Sequence, residues 1–291
     1  MSYIDDFLEA GKIAKKIREE IKKVVKEGEK LLEIAEYLEN RIRDEGGNPA
    51  FPCNIGINEV AAHYSPIPDD SSIIPPNSII KIDIGVHING CIADTALTIS
   101  LNPEYDPLVS IVNIALDEVL KIIKAGISIS FIGEVISSTI KKYGFKPISN
   151  LTGHEISRYK LHAGTSIPNI PTREKTTLKE NHIYAIEPFA TFSKAVGEVL
   201  SGKEITIFKL KEDFVIKEEN FIKKIKDKVG FLPYSLRWFR LSEIEEKEHQ
   251  KLLKKGIIVG YPVLIEKSGY PVAQAEHTVL VLKDGCKILT E

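Results

Sequence analysis

Four acids and one histidine stand where such residues cost free energy unless they bind something. Asp83 and Asp94 lie on the two arms of an apolar segment, IIKIDIGVHINGCIADTALT. Glu187 interrupts the apolar run in LKENHIYAIEPFATF just before Pro188, and Glu276 does the same in the final strand, YPVAQAEHTVLVL. A carboxylate in such a setting is expensive unless it is paired or holds a metal. His154 stands with His162 in the glycine-flanked stretch LTGHEISRYKLHAG. Asp83, Asp94, His154, Glu187 and Glu276 together match a pair of divalent cations in charge. An oxygen-rich donor set of this kind suits Mn, Fe(II), Co or Zn better than a thiophilic metal, and a single mononuclear zinc would need fewer carboxylates.

The two aspartates need a rigid support, and the segment around them supplies one. Asn89-Gly90 is the dipeptide favoured by a two-residue type I′ turn, with β-branched residues on both sides, so Ile79 to Ile88 should pair antiparallel with Cys91 to Ile99. In that register Gly85 faces Asp94 and Asp83 faces Ala96. The aspartates are then diagonal neighbours on one face, roughly 7 Å apart, which suits two carboxylates sharing cations. Ile82, Ile84, Val86, Ile88, Ala93 and Leu97 collect on the other face, the pattern of a sheet packed on helices. Taken alone, the hairpin also fits a solvated face with two incidental acids.

Helices to back that sheet are predicted from about Ile4 to Lys26 and from Lys30 to Asp44, by apolar residues at helical spacing and by Gly46-Gly47 at the second C-terminus. Two more are predicted over Leu108 to Lys124 and Ile129 to Tyr143. His63 ends the extended stretch NPAFPCNIGINEVAAHY, and both it and Phe51 read as core or as site lining. His277 should face away from Glu276, while His87, His182 and His249 read as surface or structural residues.

Composition narrows the classes. A chain of 291 residues with 43% hydrophobic content can bury a sizeable core, and a net charge of −2 recommends neither a nucleic-acid nor a membrane partner. Cys53, Cys91 and Cys286 are too few and too scattered for a disulfide framework, which fits a reducing, cytoplasmic compartment. No apolar run approaches the ~18 residues of a membrane span. Residues 194–260 differ in character, with 15 Lys/Arg against 11 Asp/Glu. They read as a separate, mostly helical insertion, winged-helix-like, with a small aromatic core from FLPYSLRWF. Residues 1–193 and 261–291 then form the main domain.

Five motifs in order, AFPCNIGINEVAAHYSP, KIDIGVHINGCIADTALT, LTGHEISRYKLHAG, IYAIEPFA and QAEHTVLV, resemble the pita-bread metallopeptidases, and within them the type II methionine aminopeptidases. The insertion with its LPYSLRWF is the mark of type II, and the short N-terminus is similar to archaeal members. The resemblance implies an α/β (α+β) pita-bread fold, a pseudo-two-fold curved antiparallel sheet backed by helices. It also implies two divalent metal ions: Asp83 and Glu276 would bridge, Asp94 would chelate one metal, and His154 with Glu187 would hold the other. Two close cations lower the pKa of a shared water, so that a metal-bridging hydroxide attacks the first peptide bond. Glu187 would shuttle the proton, and His63 and His162 would hydrogen-bond the scissile peptide or the developing oxyanion. Phe51, Leu161, His162 and Tyr261 would enclose the first side chain. The implied activity is removal of the initiator methionine from nascent chains whose second residue is small.

Two rival readings follow from the same residues. Prolidases and aminopeptidases P share the five ligands, but the insertion and the lack of a separate N-terminal domain argue against them. A non-catalytic homologue binding the ribosome or RNA would be expected to lose ligands, and all five are present. The charge of the insertion is spread thinly, without a clustered basic run, so a solvated helical surface is favoured over a nucleic-acid site. A transient ribosome contact is compatible with a substrate that emerges there, and a monomer is expected.

Overall fold

Ten consecutive residue pairs join Ile79–Ile88 to Cys91–Ser100, with Gly85 opposite Asp94 and Asp83 opposite Ala96, the register that an Asn89-Gly90 turn dictates. Both turn residues have positive φ, 49° and 85°, as a type I′ turn requires. The computed structural model describes residues 3–212 and 220–291. The outer face of the hairpin (Ile80, Ile82, Ile84, Val86, Ala93 and Leu97) is buried against helices Tyr3–Val24 and Leu31–Asp44. Ile13, Ile17 and Ile21 on the first helix meet Leu31, Ile34, Leu38 and Ile42 on the second in the same cluster. Burying each such side chain contributes about 1.5–3 kcal/mol, which fixes the helices on the sheet. The first helix starts its buried stripe at Phe7; Ile4 is 40% exposed.

A second pair of helices, Asp106–Leu120 and Ile129–Lys142, backs the other half of the molecule. Leu108, Ile111, Ala115, Ile132, Ile136 and Ile140 pack there with Tyr184, Ile186, Val279 and Val281. The latter four come from an antiparallel sheet ordered Gly285–Ile288, His277–Leu282, Ile183–Ile186, Thr152–Ile156, Ser166–Pro168. Two halves, each a helix pair behind an antiparallel sheet, give the pseudo-symmetric α/β fold expected from the sequence.

Both glutamate segments differ from the single strands that the sequence suggests. The first splits into Ile183–Ile186 and Phe189–Phe192, the second into Val272–Gln274 and His277–Leu282. Ile183–Ile186 pairs with His277–Leu282, and Phe189–Phe192 pairs with Val272–Gln274 in a different sheet. Pro188, lacking an N–H, cannot continue the first ladder. Each chain therefore crosses from one sheet to the next at its glutamate.

Residues 194–260, expected to be mostly helical, also carry a long strand. Val199–Leu210 is a twelve-residue strand, paired with Ile258–Glu266, which in turn pairs with Val60–Ala62. Buried Thr206, Ile207 and Phe208 hold that strand, while exposed Lys203 and Glu204 mask it in the charge pattern. Helices Asn220–Val229 and Glu243–Lys254 follow, and residues 213–219 of the insertion, like Met1 and Ser2, lie outside the described residues. Phe208, Phe221, Tyr234, Phe239 and Leu252 form an aromatic core there, with Phe231 and Trp238 packed on it. Among the described residues, no helix is long and apolar enough to cross a membrane.

Candidate metal centre and substrate cavity

The inner face of the hairpin and the two glutamate breaks meet at one place. Asp94 is buried at 3% exposure and Glu276 at 1%, and with His154 each offers an atom within 4.8 Å of the others. His154, on Thr152–Ile156, puts Nε2 at 3.6 Å from Asp94 Oδ2 and 3.6 Å from Glu187 Oε1. These separations exceed hydrogen-bond reach. The backbone fixes the cluster: the Asp94 N–H donates to Thr278 Oγ1 at 2.8 Å, and Thr95 Oγ1 donates to the Glu276 carbonyl at 2.9 Å.

The electrostatics of this cluster are those of a cation site. Burial, reinforced by the neighbouring Asp94, pushes the Asp83 carboxyl well above its usual range. Burial lifts Asp94 to about 7. Glu187 is raised by burial and by Asp94 and Asp83; Glu276 is raised by burial and by Asp94, Glu187 and Asp83. Asp83 Oδ1, Asp94 Oδ1, Glu276 Oε1 and His154 Nδ1 are buried without a hydrogen-bond partner. Unpartnered acceptors converging in a dry site are stable only when positive charge neutralises them. The residues present thus fit a divalent cation, and the donor set is hard and oxygen-rich.

A cavity of about 230 Å³ opens over the cluster. All the residues singled out from the sequence line it: Asp83, Asp94, His154, Glu187 and Glu276 at the floor, His63 and His162 beside them, and Phe51, Leu161 and Tyr261 along the apolar wall. His63 follows Val60–Ala62 in a left-handed conformation, φ 65°; its Nδ1 lies 3.3 Å from the Pro262 carbonyl and its ring is edge-on to Tyr261. The His162 ring centre is 4.4 Å from that of His154. Burial lowers the His63 pKa against the pull of the Pro262 carbonyl. Burial lowers His162 to about 3, helped by His154, His63 and Lys209. Both rings are therefore neutral at neutral pH, each with one N–H; that of His63 is turned from Nδ1 to the Pro262 carbonyl, which leaves its Nε2 an acceptor.

Sequence reasoning missed several members. Gln274 Nε2 lies 3.4 Å from Glu187 Oε2 and 3.3 Å from Glu276 Oε2, a donor held between two acids. Its position two residues before Glu276 was the available signal, since residues two apart on a strand share a face. Asn54 pairs with Asp83 across the sheet and lines the cavity. Ile207 and Pro233 bring the insertion into the wall, which no local pattern announces. His277 faces away, with Nδ1 at 2.7 Å from Thr290 Oγ1, as its position predicts.

Comparison with known proteins agrees. The chain matches Metallopeptidase family M24 over residues 5–282. It is 42% identical to the methionine aminopeptidase of Pyrococcus horikoshii, over 99% of both chains. It is 43% identical to that of Saccharolobus solfataricus, over 99% of this chain and 98% of the other. Among solved structures, methionine aminopeptidase from Thermotoga maritima superposes with a TM-score of 0.72 at 21% identity, covering 99% of this chain and 96% of that one. The prolidase of Pyrococcus furiosus gives 0.63 at 19%, covering 99% and 63%, a likeness of fold.

Proposed function

The chain belongs to metallopeptidase family M24 and is a methionine aminopeptidase, and on that premise we propose that this cavity removes the initiator methionine from nascent cytoplasmic chains with a small second residue. Asp83, Asp94, His154, Glu187 and Glu276 would hold two divalent cations drawn from Co, Mn, Fe(II) or Zn. When bound, such cations supply Lewis acidity, making water acidic enough to act as a nucleophile near neutral pH and holding the substrate's free α-amine. That amine requirement restricts cleavage to the first residue.

The chain's own residues do the rest. Phe51, Leu161, His162 and Tyr261 enclose an unbranched thioether side chain and exclude water from it. Neutral His162 donates a hydrogen bond to the scissile carbonyl oxygen, stabilising charge that grows only in the transition state, while neutral His63, whose Nδ1–H is turned to the Pro262 carbonyl, offers Nε2 as an acceptor to the scissile peptide's N–H. Glu187 takes the proton from the attacking water and passes it to the leaving amine, so that the C–N bond breaks as the amine is protonated. The observation that carries this reading is the convergence of four carboxylates on one cavity, three of them, Asp83, Asp94 and Glu276, with a buried oxygen that has no hydrogen-bond partner.

The test is methionine release from Met-Ala-Ser by metal-stripped protein as Mn, Co, Fe(II) or Zn is returned. Restoration by one or more metals, lost about 10²–10³-fold in His63→Ala while metal stays bound, is the expected result. Robust Xaa-Pro cleavage without methionine preference would refute the specificity, and no release with any metal would refute the site.

A further inference from the structure

Glu155 adjoins His154 but belongs to the opposite face of its strand, by the alternation of side chains along Thr152–Ile156. Its carboxylate is spanned by two donors. His182 places Nδ1 at 2.6 Å from Oε1, and the Thr165 N–H donates to Oε2 at 3.2 Å. The backbone of Glu155 grips the same loop: its N–H donates to the Thr165 carbonyl at 2.7 Å, and its carbonyl accepts from the Ala163 N–H at 2.7 Å. These contacts seize residues 163 and 165, on either side of Gly164, whose φ of 137° makes the kink after His162. At the loop's other end the Tyr159 N–H donates to the Gly90 carbonyl at 2.8 Å and Arg158 Nε to the Asn89 carbonyl at 2.7 Å. His162 thus hangs between two tethers, one on the aspartate hairpin's turn and one on Glu155.

We propose that Glu155, locked by His182, is a positioning residue that sets where the His162 imidazole stands over the cavity. The inference rests on the reading of His162 as a group that touches the scissile carbonyl. It assigns a role to two residues outside the cavity lining, and it gives His182, an otherwise ordinary surface histidine, a purpose. Without the carboxylate the Thr165 N–H loses its acceptor and the kink at Gly164 is free to relax. A misplacement of about 1 Å at a catalytic group can cost up to 10²-fold in rate.

The experiment is a double-mutant cycle on the metal-loaded enzyme with Met-Ala-Ser, using Glu155→Ala, Glu155→Gln, His162→Ala and Glu155→Ala/His162→Ala. Glu155→Ala is expected to lower kcat/KM about 10- to 100-fold, chiefly through kcat, with metal content unchanged, and Glu155→Gln, which keeps an acceptor for Thr165, to recover to within about three-fold of wild type. In the His162→Ala background Glu155→Ala should cost less than about two-fold, because the group it positions is gone. An equal loss in both backgrounds, or a loss of metal, would show that Glu155 acts through His154 or the fold and would overturn the proposal. Wild-type kcat in Glu155→Ala would overturn it too. Wild-type kcat in His162→Ala would instead refute the catalytic reading of His162, and the proposal with it.

Discussion

Glu187 and Glu276 stand opposite each other where two antiparallel strand pairs break together. Ile186 pairs with His277 on one side and Phe189 with Gln274 on the other, so the register brings the two glutamates face to face in the gap. The Ala275 N–H still donates to the Pro188 carbonyl at 3.2 Å, which keeps the gap narrow. Two acids are thus held together by the sheets, against their mutual repulsion. Glu276→Gln should therefore raise the melting temperature of the metal-free protein, by roughly 2–4 °C per kcal/mol of repulsion relieved, while abolishing metal retention and activity. Calorimetry with and without chelator, paired with elemental analysis, checks this. Two tightly held metals in the variant would show that the site is misassigned.

Gln274 is a neutral donor within reach of both acids, placed to orient them. Its own backbone is fixed, since its N–H donates to Thr98 Oγ1 at 2.8 Å and Thr98 Oγ1 donates to its carbonyl at 2.6 Å. Removing a side chain that orients metal-binding carboxylates commonly costs 10–100-fold in affinity, so Gln274→Ala should weaken metal binding by about that factor. Once saturated with metal, the variant should keep most of its KM for Met-Ala-Ser. Titration calorimetry with Mn or Co measures the affinity; an unchanged value would remove Gln274 from the site.

The floor of the site was legible because each acid there violates a local rule. Asp83 and Asp94 break an apolar hairpin whose register the Asn89-Gly90 turn fixes, and Glu187 and Glu276 break apolar strands. His63 and His162 needed the resemblance, because a histidine beside glycine or at a strand end satisfies many roles. The interruptions at both glutamates were legible, and Pro188 marks the first, but the change of sheet was not, since only long-range pairing shows that each half joins a different one. Strand Val199–Leu210 was hidden for the converse reason: its exposed stretch mixes Leu200 and Ile205 with Ser201, Lys203 and Glu204 and so shows no clean alternation, and the partners that hold it come from Ile258–Glu266, distant in sequence.

His249 gives a pH prediction away from the metal centre. It is 2% exposed, edge-on to Phe208 at 4.6 Å and close to Phe221 and Tyr234, and its Nε2 has no partner. Burial lowers its pKa to about 4. The unfolded chain, with a pKa near 6.5, binds this proton at a higher pH than the folded one. Its contribution is therefore complete above about 6.5 and is lost as pH falls toward 4. His249→Leu should flatten the acid limb of the melting-temperature profile relative to wild type across that window, with little change at pH 8. Parallel profiles for the two proteins would show that His249 does not titrate with unfolding.

A buried ion pair ties the insertion to the body of the enzyme. The Arg237 guanidinium donates to both oxygens of Glu39 and, through Nε, to the Pro66 carbonyl at 3.0 Å; Trp238 Nε1 donates to Glu39 Oε2 at 2.7 Å and the Cys53 N–H to Oε1 at 2.9 Å. The side chains of Arg237 and Glu39 are only 3% and 2% exposed. Removing one partner strands a buried charge, so Arg237→Ala should cost about 3–5 kcal/mol, whereas Glu39→Gln/Arg237→Met, which strands no charge and keeps an acceptor for Trp238 Nε1 and the Cys53 N–H, should cost less than either of its single changes. Pro233, four residues before Arg237, lines the cavity, so Arg237→Ala should also raise KM for Met-Ala-Ser while leaving the metal in place. Denaturant unfolding of Arg237→Ala, Glu39→Gln, Arg237→Met and the double variant, with steady-state kinetics on each, measures both effects. Additive losses in the double variant would mean that the pair does not act as a unit, and an unchanged KM would separate the insertion's attachment from the shape of the methionine pocket.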